Sequence, residues 1–347
     1  MLFRSLTSKN CFALEHLTGF HSGWKAGDDG EDYSLLPRIN YKTLITPEGD
    51  VIMSSPHFVE IMSQQRRIFD GTSGAIYKNT KEDRRYTGLR TPWIIAGTPA
   101  LMDTDQSRLG DRFLREWIPQ PNAEERAEIL RRVGYTALRS VLRTSDGDAR
   151  GYIDDRLALA YQLTGGYVDY LRASAEDLLS SLVINEEDNI ERCATLGEFT
   201  ADMRARPDRD KTKEHDATKE LPSRLTHQYV RLACCLAVVK QRPEVDAEVM
   251  RVVQRVALDT SRGKTMAIAG HLYTAGLDGM ETVQLAALTA STDDRVRTLL
   301  RFMQQIDVVV SFRQKTGGLG SKVKYRLTRR MASLYRAVMG SDRADHT

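Results

Sequence analysis

The sequence predicts an α/β N-terminal part, then a mostly α-helical remainder that closes on a helix–turn–helix–hairpin unit. Three observations predict it. Short apolar runs at Leu44-Ile45 and Trp93-Ile94-Ile95 flank a helical pattern, as parallel strands joined through a covering helix require. From about Ala123 onward, apolar residues recur at helical spacing over long stretches. Near the C-terminus two alternating strands surround Gly317-Gly318-Leu319-Gly320.

Taken in order, Leu35-Leu36-Pro37 introduces a strand at Lys42-Thr43-Leu44-Ile45. A helix through Phe58, Val59, Ile61, Met62 and Ile68 ends near Asp70-Gly71. The polar stretch from Gly71 to Tyr86 suits a hairpin or loop, and the Trp93 strand follows. Ile129, Leu130, Val133, Leu138, Val141 and Leu142 mark a helix, with further helices over Tyr167 to Leu182 and Asn189 to Met203. Residues 204–224 are charged, hold two prolines and almost no large apolar side chain, and read as a linker. Two helices then flank Pro243. The predicted organisation is an α/β domain over 1–120, a helical region over 121–203 and the linker over 204–224. A helical pair over 225–275, the closing unit over 276–338 and a disordered tail over 339–347 complete it.

At 347 residues, 41% hydrophobic and 28% charged, the chain can bury more than one core. A net charge of +3 is too small to argue for nucleic acid, so that case rests on local clusters. Cys11, Cys193, Cys234 and Cys235 form no metal spacing and no disulfide framework, which fits a reducing, cytoplasmic compartment. Cys234 and Cys235, adjacent in an apolar helix, read as buried thiols. Ser8, Lys9 and Asn10 interrupt the N-terminal apolar residues before a signal-length core forms. No window approaches the run of about 20 apolar residues that spans a membrane.

In the closing unit, Met280 to Leu288 and Asp293 to Ile306 fit helices, with Thr292 or Asp293 as cap of the second. Val296, Leu299, Leu300 and Met303 form its apolar stripe, and Arg295, Arg297 and Arg301 lie off it. Lys315, Lys322, Lys324 and Arg326 flank the tip of the hairpin. This order resembles the winged-helix family, which implies a helix in the major groove and a hairpin against the phosphates. The same fold serving only protein interaction is the competing reading.

Asp259-Thr260-Ser261-Arg262-Gly263-Lys264-Thr265 ends as a phosphate loop does. Leu258 stands where that motif needs glycine, and the preceding residues carry helical valine spacing. A helix junction is expected there.

In the α/β part, Glu48 and Asp50 follow the Leu44 strand, and Thr98 follows the Trp93 strand. Arg112 and Arg115 then sit near the start of an expected short helix. Arg224 lies closest to the head of the first helix of the 225–275 pair, with Arg231 second. Together these resemble the C-terminal half of a phage or plasmid AAA+-type helicase ATPase, similar to minichromosome-maintenance proteins, with a partial P-loop-type parallel sheet. The resemblance implies that Glu48 and Asp50 form the acidic pair for Mg²⁺ and water, and that Thr98 senses the γ-phosphate. It implies that Arg112 or Arg115 reaches a neighbouring subunit's ATP, and that Arg224 or Arg231 touches nucleotide from a helical lid. Each has a plainer reading: turns at Glu48 and Thr98, a surface ion pair for the arginines, a simple bundle for the lid. The departure is the phosphate loop. Thr7 and Ser8 precede Lys9 with no leading glycine, the reverse of the order that motif needs.

The expectation is a DNA-replication protein working as an oligomer, with ATP and Mg²⁺ bound only if a separate polypeptide supplies the phosphate loop. The alternative is a non-enzymatic DNA-binding or assembly factor that keeps the scaffold.

Overall fold

The computed structural model describes residues 11–14, 17, 19–21, 34–77, 82–98, 113–144, 155–205, 221–315 and 321–340. Contacts divide the chain into two compact units, Met1–Asn10 with Trp117–Glu176, and Cys11–Glu116 with Asp177–Thr347.

The α/β part of the second unit runs β1 (Cys11–Ala13), α1 (Leu35–Ile39), β2 (Thr43–Thr46), α2 (Gly49–Met53), α3 (Phe58–Phe69), β3 (Thr72–Tyr77), β4 (Glu82–Thr87) and β5 (Trp93–Ile95). A three-stranded parallel sheet has the order β1-β2-β5, with Phe12 opposite Leu44 and Ile45 opposite Ile94. The central strand is the most buried: Leu44, Ile45 and Thr46 are all inside. Helix α3 exists because Phe58, Ile61, Met62, Gln65 and Ile68 fall on one face, and that face is buried. It stops at Asp70, after which Gly71 takes a left-handed φ of 83° and starts the β3–β4 hairpin. Phe20, Leu36, Ile39, Leu44, Ile61 and Trp93 belong to one core. Each such side chain stabilises by roughly 1.5–3 kcal/mol relative to exposure.

Residues 113–122 carry no regular structure, which corrects the expected short helix around Arg115. Phe113 packs on the sheet's core and Leu114 on the second core described below. Pro119 and Pro121 disfavour a helix.

In the first unit α4 (Ala123–Thr144) starts from a reciprocal cap. The Asn122 side-chain oxygen accepts from the Glu125 amide at 2.9 Å, and the Glu125 carboxylate accepts from the Asn122 amide at 3.0 Å. Helix α5 (Asp155–Ser180) starts well before the expected Tyr167 and runs through Gly165-Gly166. Ile129, Leu130 and Val133 of α4, and Leu159 and Leu163 of α5, are exposed.

The remainder of the second unit begins with a π-helical turn (Glu186–Ile190) and α6 (Glu191–Arg204), then α7 (Pro222–Val239), α8 (Ala247–Ser261) and α9 (Lys264–Ala275). It ends with α10 (Thr282–Leu288), α11 (Asp293–Gln305), β6 (Val309–Lys315), β7 (Ser321–Leu327) and α12 (Arg329–Met339). Helix α6 is the hub, buried without interruption from Phe199 to Arg204. At Gly197 it comes so close to α7 that an added Cβ would meet the Thr226 Oγ1 at 2.5 Å. Thr200 hydrogen-bonds the Tyr229 hydroxyl at 2.9 Å and accepts from Ser261 Oγ at 3.2 Å, so a buried hydroxyl chain links α6, α7 and α8. Arg330 on α12 donates to Glu198 at 2.6 Å and to the fully buried Asp202 at 2.9 Å. Burial opposes the Arg330 charge, but Asp202 and Glu198 outweigh it and raise the guanidinium pKa.

Three further expectations are corrected here. Helix α7 starts at Pro222, inside the expected linker, because proline is pre-organised for the first helical turn. Residues 206–220 of that linker lie outside the described residues. Met280 is not helical: its amide and carbonyl pair with Tyr325, adding a third strand position to the hairpin. Cys235 is exposed and Cys234 half-buried, since neighbours on a helix point about 100° apart. Helix α12 occupies residues the sequence pattern left unassigned, and the tail from 341 lies outside the described residues. The Gly-Lys-Thr stretch is a junction between α8 and α9, with the Lys264 ammonium donating to the Thr289 carbonyl. Among the described residues no helix is long and apolar enough to cross a membrane.

Candidate functional site

Parallel strands bring the ends of β2 and β5 side by side, so the residues after them meet at one edge of the sheet. The Gly49 amide donates to the Ala96 carbonyl at 2.7 Å and fixes that juxtaposition. The Asp50 carboxylate then accepts from the Thr98 amide at 3.0 Å and the Thr98 hydroxyl at 3.3 Å. Two of the residues singled out from sequence are therefore brought together, at the carboxyl ends of the strands where α/β sheets place ligands. Glu48 sits beside them, exposed, with no capping bond from its side chain. One layer below, the Trp93 indole donates to Thr46 Oγ1 at 3.0 Å and holds the two strands in register.

Arg112 lies outside the described residues. Arg115 is half-buried, and its backbone is clamped to α8. Its amide donates to Thr260 Oγ1 at 2.9 Å, and that hydroxyl reaches back to the Arg115 carbonyl at 3.4 Å. Glu116 forms an ion pair with Arg255 on the same helix. Arg224 and Arg231 are exposed on α7, two turns apart, and no hydrogen bond or ion pair joins them to Asp50 or Thr98 among the described residues.

A nucleotide with its Mg²⁺ needs a cradle of amides and a cation around the β- and γ-phosphates, plus oxygen ligands for the metal. The strand tips supply Asp50 and Thr98, which bind each other, and the exposed Glu48. No group of three metal-ligating side chains gathers anywhere among the described residues. The residues described at the strand tips do not by themselves fit ATP–Mg²⁺.

The second cluster is on the helix–hairpin unit. Thr292 caps α11 by accepting from the Arg295 amide at 3.4 Å, and Val296, Leu299, Leu300, Phe302 and Met303 are buried. That packing leaves Arg295, Arg297 and Arg301 exposed. Arg297 lies 3.5 Å from an Asp294 carboxylate that is almost wholly in water, a pair too solvated to hold it.

Strand parity sorts the hairpin's charges. Val310, Phe312 and Gln314 share a face with Arg326, Lys324 and Lys322, their cross-strand partners. On that face Lys322 pairs with Glu281 at 2.9 Å, Lys324 donates to the Asp278 carbonyl at 3.3 Å, and Arg326 lies over the Phe312 ring at 5.0 Å. Gly279 permits this contact: it has a φ of 58°, and an added Cβ would meet the Phe312 ring at 2.8 Å. The other face carries Ser311, bonded by Gln304 of α11 at 3.0 Å, and next to it the exposed Arg313. Arg313 was missed in the sequence, although the two-residue period of β6 places it on the face that meets α11. The backbone of Lys315 pairs with Ser321, and its side chain lies outside the described residues.

No family model matches the chain, and no curated protein matches it. Among solved structures it is similar to the Orc1 protein of Aeropyrum pernix in complex with DNA, at 14% identity. The match covers 94% of this chain and 73% of that one, with a TM-score of 0.21. A TM-score that low does not establish a common fold.

Proposed function

We propose that this chain is a DNA-binding replication protein whose C-terminal unit is a winged helix, with α11 as the groove-reading helix. The observation that supports it is the exposed set Arg295, Arg297 and Arg301 on a helix whose opposite face is fully packed, with Arg313 on the adjoining hairpin face. Arginines on such a frame neutralise phosphates and reach base edges. Lys322, Lys324 and Arg326 serve the hairpin's own fold first and DNA second.

In this reading the α/β part is an AAA+-like scaffold that works in an oligomer, and ATP turnover needs a phosphate loop from another polypeptide. Arg112 or Arg115 then addresses a neighbouring subunit's nucleotide. The clamped backbone of Arg115 and the mutual bonding of Asp50 and Thr98 favour the other reading, a DNA-binding or assembly factor without hydrolysis.

Fluorescence anisotropy with duplex DNA across a salt series tests the proposal. Replacing Arg297 and Arg301 together by Glu should weaken binding by roughly a hundredfold and flatten the log–log salt slope by about 2. Unchanged affinity with an unchanged slope would remove DNA from α11. An ATPase assay with and without the polypeptide encoded upstream separates the two readings of the α/β part.

A further inference from the structure

Arg326 also borders a cavity of about 800 Å³ enclosed by α9, the hairpin and α12. Its walls mix apolar and cationic side chains: Leu272 is fully buried, while Leu277 is 81% exposed and Val310 40% exposed. Tyr273, another wall, is stacked on the buried Tyr335 ring at 4.5 Å, so the site is largely pre-formed. Among the described residues, guanidinium groups from Arg326, Arg329 and Arg336 line it and no carboxylate does. Neither Arg329 nor Arg336 forms an ion pair among the described residues. They are seven residues apart on α12, hence on one side of the helix and about 10 Å apart along its axis.

We propose that this cavity docks an acidic amphipathic helix of another polypeptide, with leucine-like side chains in the apolar floor and carboxylates two turns apart on Arg329 and Arg336. The charge of the rim selects for carboxylates, and their spacing matches one helical face. The exposed Leu277 and Val310 leave water only against an apolar partner. A nucleic-acid backbone would use the arginines but gain nothing from that floor, so a peptide fits the whole site better. This surface is separate from the α11 arginines and does not rest on the DNA-binding reading.

The probe is a fluorescein-labelled helical peptide with leucines on one face and two glutamates two turns apart, titrated into the full chain. The wild-type chain should saturate. Exchanging both glutamates for glutamine should weaken binding by roughly tenfold or more. The double variant Arg329→Glu/Arg336→Glu, and separately Leu277→Asp, should do the same while leaving duplex-DNA affinity in place. No saturation, equal binding of the glutamine peptide, or displacement of the peptide by duplex DNA with loss of DNA binding in the double variant would overturn the proposal. The peptide pair uses unmodified protein, so a variant that fails to fold leaves the test standing.

Discussion

The α/β part and the helix–hairpin part handle polar side chains in opposite ways. At the strand tips, Asp50 and Thr98 satisfy each other, and the backbone of Arg115 is fastened to Thr260. On α11, the polar termini are fastened through Thr292 and the apolar stripe is sunk, so the arginines remain available to solvent. Spent polar groups mark structure, and available ones on a rigid support mark recognition. By that criterion the helix–hairpin part is the one that the proposed DNA contact would use.

The largest effects test whether the two parts are one cooperative body. Leu300→Ala in one core and Ile61→Ala in the other should each cost about 3 kcal/mol, because both side chains are fully buried. Calorimetry of either variant should show one shifted transition for sheet and bundle. A transition that moves for one part alone would separate them. Next comes Arg330→Ala, which leaves the fully buried Asp202 without its cation. About 2 kcal/mol should be lost, less than for a fully dry pair because Arg330 keeps about a third of its side chain in water. The denaturant midpoint measures it, and a midpoint equal to wild type would mean that α12 is not anchored through Asp202.

Smaller still, Thr260→Val should cost about 1 kcal/mol and raise amide exchange at Arg115. Protection unchanged at that amide would show that its bond to Thr260 does not hold the segment. The last prediction concerns Cys193, whose thiol is pushed from an ordinary 9.0 to about 11, mainly by burial, then by Cys234, against the pull of Arg192. The unfolded thiol ionises first, so its contribution to stability is intact below pH 9.0 and is lost as pH rises toward about 11. Alkylation followed by mass spectrometry should label the exposed Cys235 at mildly alkaline pH and leave Cys193 unlabelled. Equal labelling of both would contradict the packed core around α6.

Much of this was legible in local pattern. Alternation and helical spacing placed β2, β5, α3, α8 and α11, because those elements bury one face of a regular repeat. Leu258 exposed the false phosphate loop for a related reason: a helix interior has no amides to spare. What escaped depended on pairing across the chain. Met280 reads as the first residue of a helix until Tyr325 is beside it. The helix expected from Tyr167 begins at Asp155 and runs through Gly165-Gly166. Charge read along the hairpin favours Arg326 over Arg313, because only the strand pairing shows which face each residue occupies.

The segment around Phe113 also sets how the sheet and the bundle can move. Phe113 and Leu114 are consecutive, yet each is seated in a different core. Sliding one part past the other must lift one of them from its socket. Both are half-buried, so each unseating costs roughly 1 kcal/mol. The joint thus acts like a pawl with one engaged tooth position.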